Sequence, residues 1–270
     1  MTTIERIAIV GTGVMGTGIA RMCLEAGLSV ALADRSPAAL DASMRELAGL
    51  DPAYPEGIEH GPLSLTLRKA GVVIDATPQL VGEKAALLRE IGERTPPTTL
   101  IGTVTLATPL RVLDPDRVLL ARLVGLHFMN PPHRLRLCEL VVREGVEPAS
   151  VERAAALLAG LSVDGMKVAD TPAFVLNRVL VPFLLDAVRT VERGQADAAA
   201  VDLAFTRGCG HPMGPLAVLD LLGLGVALRT AEQLHAAYPD DPRFEPPTLL
   251  RRMAEHGERF HRTAGGSTSR

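Results

Sequence analysis

Apolar runs and helical periodicities alternate along the first half of the chain. Four short apolar runs are typical of fully buried parallel strands, at residues 4–10, 29–33, 71–76 and 99–103. Between them, apolar residues recur at helical spacing over residues 14–26, 37–50 and 82–93. Ser36 and Pro37 form a helix-start signal, whereas residues 51–62 predict a loop. This alternation predicts an α/β fold with a Rossmann-type, doubly wound sheet.

The second half of the chain changes character. Two strand-like runs, residues 124–129 and 135–142, are separated by the Pro131-Pro132 turn, which predicts an antiparallel pair at the far edge of the sheet. Helices are then predicted over residues 172–193, 196–207, 215–234 and 248–255. We therefore expect a Rossmann domain over residues 1–170 and an all-α domain over residues 171–270. The first of these helices is apolar nearly all round its first half, which favours burial in a homodimer.

Composition excludes several classes of function. The 270 residues carry a formal net charge of -3, which gives no basic field for nucleic acid or an anionic membrane. No apolar run is long enough to cross a bilayer, and a strand starts too early to leave room for a signal peptide, so we expect a cytoplasmic protein.

Cys23, Cys138 and Cys209 are expected to be buried free thiols rather than a disulfide framework or a metal site. Residues 264–270 have the composition of a disordered tail.

The strongest local motif is a glycine loop between the first strand and the first helix. Gly11, Gly13 and Gly16 have the spacing that allows a sharp turn, opens room for a pyrophosphate and lets the helix approach the sheet. The loop residues Val14 and Met15 start the helix whose amides would face the phosphates. Asp34 ends the second strand, where a carboxylate accepts hydrogen bonds from the adenosine ribose and repels a 2′-phosphate. The motif predicts NAD as cofactor, although the neighbouring Arg35 leaves the strength of the preference over NADP open.

A histidine and a glutamate are the candidates for chemistry. Antiparallel pairing about the Pro131-Pro132 turn can bring His127 and Glu139 together. Such a dyad suits alcohol oxidation, because a base must remove the hydroxyl proton and a carboxylate can orient the imidazole. The alternative is a buried core histidine bonded to glutamate. A second histidine, His211, is expected to shape a helix connection.

The chain resembles the L-3-hydroxyacyl-CoA dehydrogenase family over most of its length. The motifs are GTGVMGTGIA at 11–20, GVVIDATP at 71–78, GLHFMNPP at 125–132, LCELV at 137–141, DTPAFVLNRVL at 170–180 and GHPMGPLAVLDLLGL at 210–224. The resemblance implies that His127 is the catalytic base, that Glu139 pairs with it and that Asn177 approaches the substrate carbonyl. It also implies that Asn130 and Lys84 lie near NAD, that the helical domain dimerises and that the protein serves fatty acid metabolism.

Four features depart from the family pattern. The family serine that touches substrate matches Val104, so that only a neighbouring threonine, Thr105 or Thr103, could supply its hydroxyl. A family glutamate is Gln79, and the stretch from Asp34 to residue 71 is too short for the helical hairpin that in the family holds part of coenzyme A. The closing lysine and aromatic motif is reduced to residues 263–267.

These observations predict an NAD-dependent dehydrogenase that converts a 3-hydroxyacyl thioester into its 3-oxoacyl form, or runs the reverse reduction. The group that carries the acyl chain stays open: it is coenzyme A, an acyl carrier protein, or none at all in a small free hydroxy acid. An alternative of another class is a catalytically silent NAD-binding or structural protein, similar to lambda-crystallin. The polar side chains of His127, Glu139 and Asn177, directed into a cleft, weigh against that alternative.

Overall fold

The computed structural model describes residues 6–261, and the chain forms two compact units, Met1–Phe174 and Val175–Arg270. The start of the predicted first strand, the reduced closing motif at residues 263–267 and the predicted disordered tail at residues 264–270 lie outside the described residues.

The first unit is built on one eight-stranded sheet. Its strands are β1 (Arg6–Val10), β2 (Ser29–Ala33), β3 (Ile58–His60), β4 (Val72–Asp75), β5 (Leu100–Val104), β6 (Leu123–Phe128), β7 (Leu137–Val142) and β8 (Asp164–Ala169). They lie in the order β3-β2-β1-β4-β5-β6-β7-β8. The pairs from β3 to β6 are parallel, β7 is antiparallel to β6, and β8 is parallel to β7. The sheet confirms the predicted Rossmann-type fold.

Helices cover both faces of this sheet, as expected where both faces are apolar. They are α1 (Val14–Glu25), α2 (Pro37–Leu50), α3 (Leu63–Thr66), α4 (Val81–Arg94), α5 (Leu110–Leu113), α6 (Pro132–Leu135) and α7 (Pro148–Gly160). The start of α2 is the predicted one, because Ser36 Oγ accepts a hydrogen bond from the Ala39 amide at 3.2 Å. Two apolar clusters form the core, one including Ile9 and Ile74 and the other including Val73 and Ile101.

Two edge strands correct the sequence prediction for this unit. Residues 51–62 are not only a loop, because they contain a 3₁₀ turn at Tyr54–Gly57 and the three-residue strand β3. The antiparallel pair does not end the sheet either, since β8 lies outside β7. β8 has no apolar run to reveal it, because Val168 is its one buried residue. A strand of this kind is specified by its neighbour rather than by its own pattern.

The second unit is helical in its described part. Its helices are α8 (Leu176–Glu192), α9 (Ala198–Leu203), α10 (Pro215–Leu222), α11 (Leu224–Ala237) and α12 (Thr248–Glu255). A π-helical turn, Ala204–Gly208, continues α9, and a 3₁₀ turn, Pro242–Phe244, precedes α12.

Three of the predicted helices differ from those in the structure. The helix expected from residue 172 begins only at Leu176, since Ala173 and Phe174 are left-handed, with φ of 59° and 54°. The helix expected over residues 215–234 is two helices, because Gly223 has a φ of 86° and separates α10 from α11. The helix predicted over residues 196–207 is shorter and ends in the π-helical turn.

Within residues 6–261, no helix has the length and apolar character to cross a bilayer. Cys23 and Cys138 are buried free thiols, as predicted, and burial raises the pKa of Cys23 to about 12. The prediction was wrong for Cys209, which is exposed after the π-helical turn, outside the apolar face of α9.

Candidate active site

The glycine loop connects β1 to α1 at the carboxyl end of the parallel strands. A Cβ at Gly11 would lie 2.8 Å from backbone atoms of Ala76 and Thr77, and Gly11 has a φ of 95°. A Cβ at Gly16 would overlap the carbonyl oxygen of Gly11, so these two glycines are required by close packing. At Gly13 nothing lies within 4 Å of the Cβ position. The loop is therefore closed against the sheet at two points and open at Gly13, the arrangement that a pyrophosphate cradle needs.

The first turn of α1 provides amide donors beside that opening. Gly13 is the N-cap residue, and among residues 6–261 no side chain caps this helix end. Val14, next along the chain, is 72% exposed. Uncapped amides and the helix dipole make such an end suited to a phosphate. Gly13, Val14 and Met15 thus stand where the sequence places the cofactor phosphates.

Asp34 ties the glycine loop to the end of β2. Its Oδ2 accepts hydrogen bonds from the Thr12 amide at 2.7 Å and the Thr12 hydroxyl at 3.0 Å, and its Oδ1 accepts from the Ser36 amide at 2.8 Å. Partial burial raises the pKa of Asp34, but the hydrogen bonds from Ser36 and Thr12 and the charge of Arg35 outweigh it and hold the pKa below its usual value. The carboxylate is ionised and oriented, and it can still accept from ribose hydroxyls.

His127 and Glu139 form a buried pair at the end of β6. They face each other across the antiparallel ladder, and His127 Nδ1 lies 2.6 Å from Glu139 Oε2. The side chains are 6% and 0% exposed. The ring of Phe174 packs against the imidazole, with ring centroids 5.7 Å apart. The pairing inferred from the Pro131-Pro132 turn is present, although the connection contains α6 as well.

A buried ion pair underlies the β4–α4 loop. Lys84 Nζ lies 2.9 Å from Asp75 Oδ2 and donates to the Thr77 carbonyl at 3.1 Å. Asp75 also accepts from the Thr103 hydroxyl at 2.8 Å and from the Thr77 amide at 3.0 Å. Burial lowers the pKa of Lys84, against the opposing charge of Asp75. Lys84, which the resemblance implies near NAD, is held in the interior beneath the loop that touches Gly11.

Sequence reasoning missed the central member of this cluster. Asp75 is a carboxylate at the end of an otherwise apolar run, GVVIDA, and that is the signal that could have identified it. A charge there is costly unless partners surround it.

The two candidate threonines turn their hydroxyls into the protein. Thr103 donates to Asp75, and Thr105 donates to the Thr108 carbonyl at 2.9 Å. Both residues are fully buried. The Gln79 side-chain amide donates to the Val104 carbonyl at 3.0 Å, linking the loop after β4 to the end of β5.

The two asparagines lie in different parts of the chain. Asn130 is exposed two residues after β6 and precedes a cis peptide bond to Pro131. Asn177 is a buried residue in the first turn of α8, in the second unit. No cluster of three or more metal-ligating side chains occurs in residues 6–261.

Comparison with known families covers nearly the whole chain. Residues 6–60 and 62–171 match the model of the 3-hydroxyacyl-CoA dehydrogenase NAD binding domain, and residues 174–268 match that of the family's C-terminal domain. The chain belongs to the 3-hydroxyacyl-CoA dehydrogenase family. This confirms the resemblance seen in the motifs, NAD as the cofactor and the class of NAD-dependent oxidoreductases.

Individual members of the 3-hydroxyacyl-CoA dehydrogenase family match at full length. A 3-hydroxybutyryl-CoA dehydrogenase of Mycobacterium tuberculosis is 33% identical, with 94% of each chain covered. A probable 3-hydroxybutyryl-CoA dehydrogenase of Bacillus subtilis is 30% identical, over 94% of this chain and 93% of the relative. The crystal structure of an (S)-3-hydroxybutyryl-CoA dehydrogenase from Ralstonia eutropha has a TM-score of 0.88 at 29% identity, covering 94% of this chain and 95% of that one.

Proposed function

We propose that this chain oxidises a 3-hydroxyacyl thioester to the 3-oxoacyl form, or catalyses the reverse reduction, with His127 as the general base and acid. The observation that carries the proposal is the buried His127–Glu139 pair, 2.6 Å apart, in the same unit as a glycine loop suited to NAD. Any buried histidine needs a hydrogen-bond partner, but a carboxylate is the partner that also stabilises the imidazolium formed when the ring takes up a proton.

Glu139 acts by fixing the imidazole. Its carboxylate accepts a hydrogen bond from Nδ1–H, so that the lone pair of neutral His127 is on Nε2. Nε2 can then remove the proton of the 3-hydroxyl, and the carboxylate stabilises the imidazolium that forms. Bound NAD supplies the hydride acceptor in this chemistry. In the direction of reduction, the imidazolium returns its proton to the oxygen.

Several residues are assigned to hold the cofactor and substrate. Gly11, Gly13 and Gly16, with the amides of Val14 and Met15, would hold the pyrophosphate, and Asp34 the adenosine ribose. Asn130 is assigned to the nicotinamide half.

The remaining assignments follow from burial. Lys84 is assigned an indirect role at the cofactor site. Its ammonium is buried, so it acts by holding the Thr77 carbonyl and Asp75 in place. Asn177 is assigned to the substrate carbonyl. Thr105 would shape the substrate site through its bond to Thr108, since its hydroxyl is engaged there.

The group that carries the acyl chain is the least constrained part of the proposal. The relatives above are named for coenzyme A thioesters. In this chain only α2, one 3₁₀ turn, β3 and α3 lie between Asp34 and residue 71 among the described residues, rather than a helical hairpin. A coenzyme A thioester is therefore the first substrate to test, and an acyl carrier protein or a small hydroxy acid the next.

Wider assignments complete the proposal. We assign the NAD-binding role to residues 1–170 and a substrate and dimerisation role to residues 171–270. Homodimer formation is supported by exposed apolar side chains of the second unit, such as Val179 at 69% and Leu221 at 73%. The cytoplasmic location and the place in fatty acid metabolism stay predictions.

The test is NADH absorbance with a panel of 3-oxobutyryl-CoA, the same acyl group on a carrier protein, and the free acid. We expect turnover of a thioester, and His127→Ala should lower kcat by about 10²- to 10⁴-fold, the usual contribution of a general acid or base. His256→Ala, an exposed histidine in α12's C-cap position, is the matched control and should retain full activity. NADH binding without turnover of any substrate would favour the silent NAD-binding protein instead.

A further inference from the structure

An exposed ion pair joins the loop after β2 to the first turn of α4. Arg35 Nη2 lies 2.6 Å from Glu83 Oε2, and the side chains are 83% and 53% exposed. Among the ion pairs of the described residues, this is the one that links the loop after β2 to α4. Its partners are 48 residues apart in sequence, so the pair is made by the fold and not by local helix geometry.

The position of the pair follows from the strand order. β2, β1 and β4 are neighbouring parallel strands, so their carboxyl ends lie side by side. Arg35 comes two residues after β2, and Glu83 is in the helix that follows β4. The ion pair therefore spans the end of β1, where the glycine loop begins. This is the part of the sheet edge at which Asp34 is assigned to the adenosine ribose.

The charges bear on which dinucleotide can bind. An arginine beside the ribose-binding carboxylate is the kind of residue that accommodates the 2′-phosphate of NADP. Here the guanidinium of Arg35 is already engaged by a carboxylate from the other side of β1. Glu83 neutralises Arg35, so the ion pair offers no net positive charge to the negative charges that a 2′-phosphate would bring.

We propose that Glu83 strengthens the preference for NAD over NADP, because its ion pair with Arg35 competes with a 2′-phosphate for the guanidinium. The inference rests on the proposed binding of NAD at the glycine loop. It also assigns Arg35 a latent capacity to bind the 2′-phosphate of NADP.

The experiment measures the dissociation constants of NADH and NADPH by titration calorimetry, without any acyl substrate. Glu83→Gln should lower the ratio of the NADPH constant to the NADH constant roughly 2- to 5-fold, the size expected for releasing an exposed ion pair. Glu90→Gln is the matched control, because Glu90 is an exposed glutamate on the same helix that pairs with Arg94 instead. It should leave the ratio unchanged. In Glu83→Gln/Arg35→Ala the gain should disappear.

Three results would overturn the inference: an unchanged ratio in Glu83→Gln, an equal gain in Glu90→Gln, or a gain that survives removal of Arg35. The second would mean that net charge, and not this ion pair, sets the ratio. Wild-type protein that binds neither dinucleotide would contradict the proposed function itself, and the inference with it.

Discussion

The buried ion pair of Lys84 and Asp75 should make the first unit sensitive to the loss of a single side chain. Lys84→Met keeps the side-chain length and removes the charge. The two groups are 1% and 0% exposed, so the substitution leaves an anion without its counter-charge in the interior. Breaking a buried pair in this way costs about 3–5 kcal/mol. Because Asp75 keeps its hydrogen bonds from Thr77 and Thr103, we expect the lower part of that range.

A second substitution separates the charge from the packing. Asp75→Asn added to Lys84→Met removes the unpaired charge and keeps a group that can accept from Thr77, so most of the lost stability should return. Calorimetric unfolding measures both variants, and the single substitution should lower the unfolding temperature by roughly 6–16 °C. Lys167→Met, on an exposed position of β8, is the control and should change stability by less than about 0.5 kcal/mol. A Lys84→Met variant no less stable than this control would refute the reasoning.

Two further predictions concern the glycine loop. Gly13→Ala should leave the unfolding temperature unchanged, because its Cβ would meet nothing in the protein, but should weaken NADH binding. Gly16→Ala should lower both the unfolding temperature and the affinity for NADH, since its Cβ would overlap the Gly11 carbonyl oxygen. Equal thermal stability of the two variants, measured by calorimetry, would contradict this. The pKa of Asp34 is lowered in the folded chain, so its contribution to stability is complete above its ordinary value of about 3.9 and is lost as the pH falls through the lowered pKa. Asp34→Asn should therefore flatten the stability profile on the acid side, and a profile parallel to that of the wild type would count against the Thr12 and Ser36 hydrogen bonds.

The sequence predicted those elements whose bounds are set by residues close together in the chain. The bounds of α2 follow from its Ser36 cap and helical period, those of α12 from its helical period alone, and both match the structure. The pairing of His127 with Glu139 was also predictable, because a short connection between two apolar strands leaves few antiparallel registers.

The features that were missed depend on distant residues. β8 buries only Val168 and pairs with β7, so its strand conformation comes from a neighbour and not from its own pattern. Asp75 bonds to Thr103, 28 residues away, and Arg35, in a loop, pairs with Glu83, in helix α4, 48 residues away. Hydrogen bonds and charges between remote segments have no period or spacing along the chain that could reveal them.

The measurement that tests the central claim most directly is kcat for reduction of 3-oxobutyryl-CoA by wild type, His127→Ala, Glu139→Gln and the double variant. If the carboxylate acts by orienting the imidazole, Glu139→Gln should lower kcat less than His127→Ala does, and the double variant should be no slower than His127→Ala alone, as expected of groups that work as one unit. Losses that multiply in the double variant, or a His127→Ala enzyme as fast as the wild type, would contradict the assignment of this pair as the proton-transfer dyad.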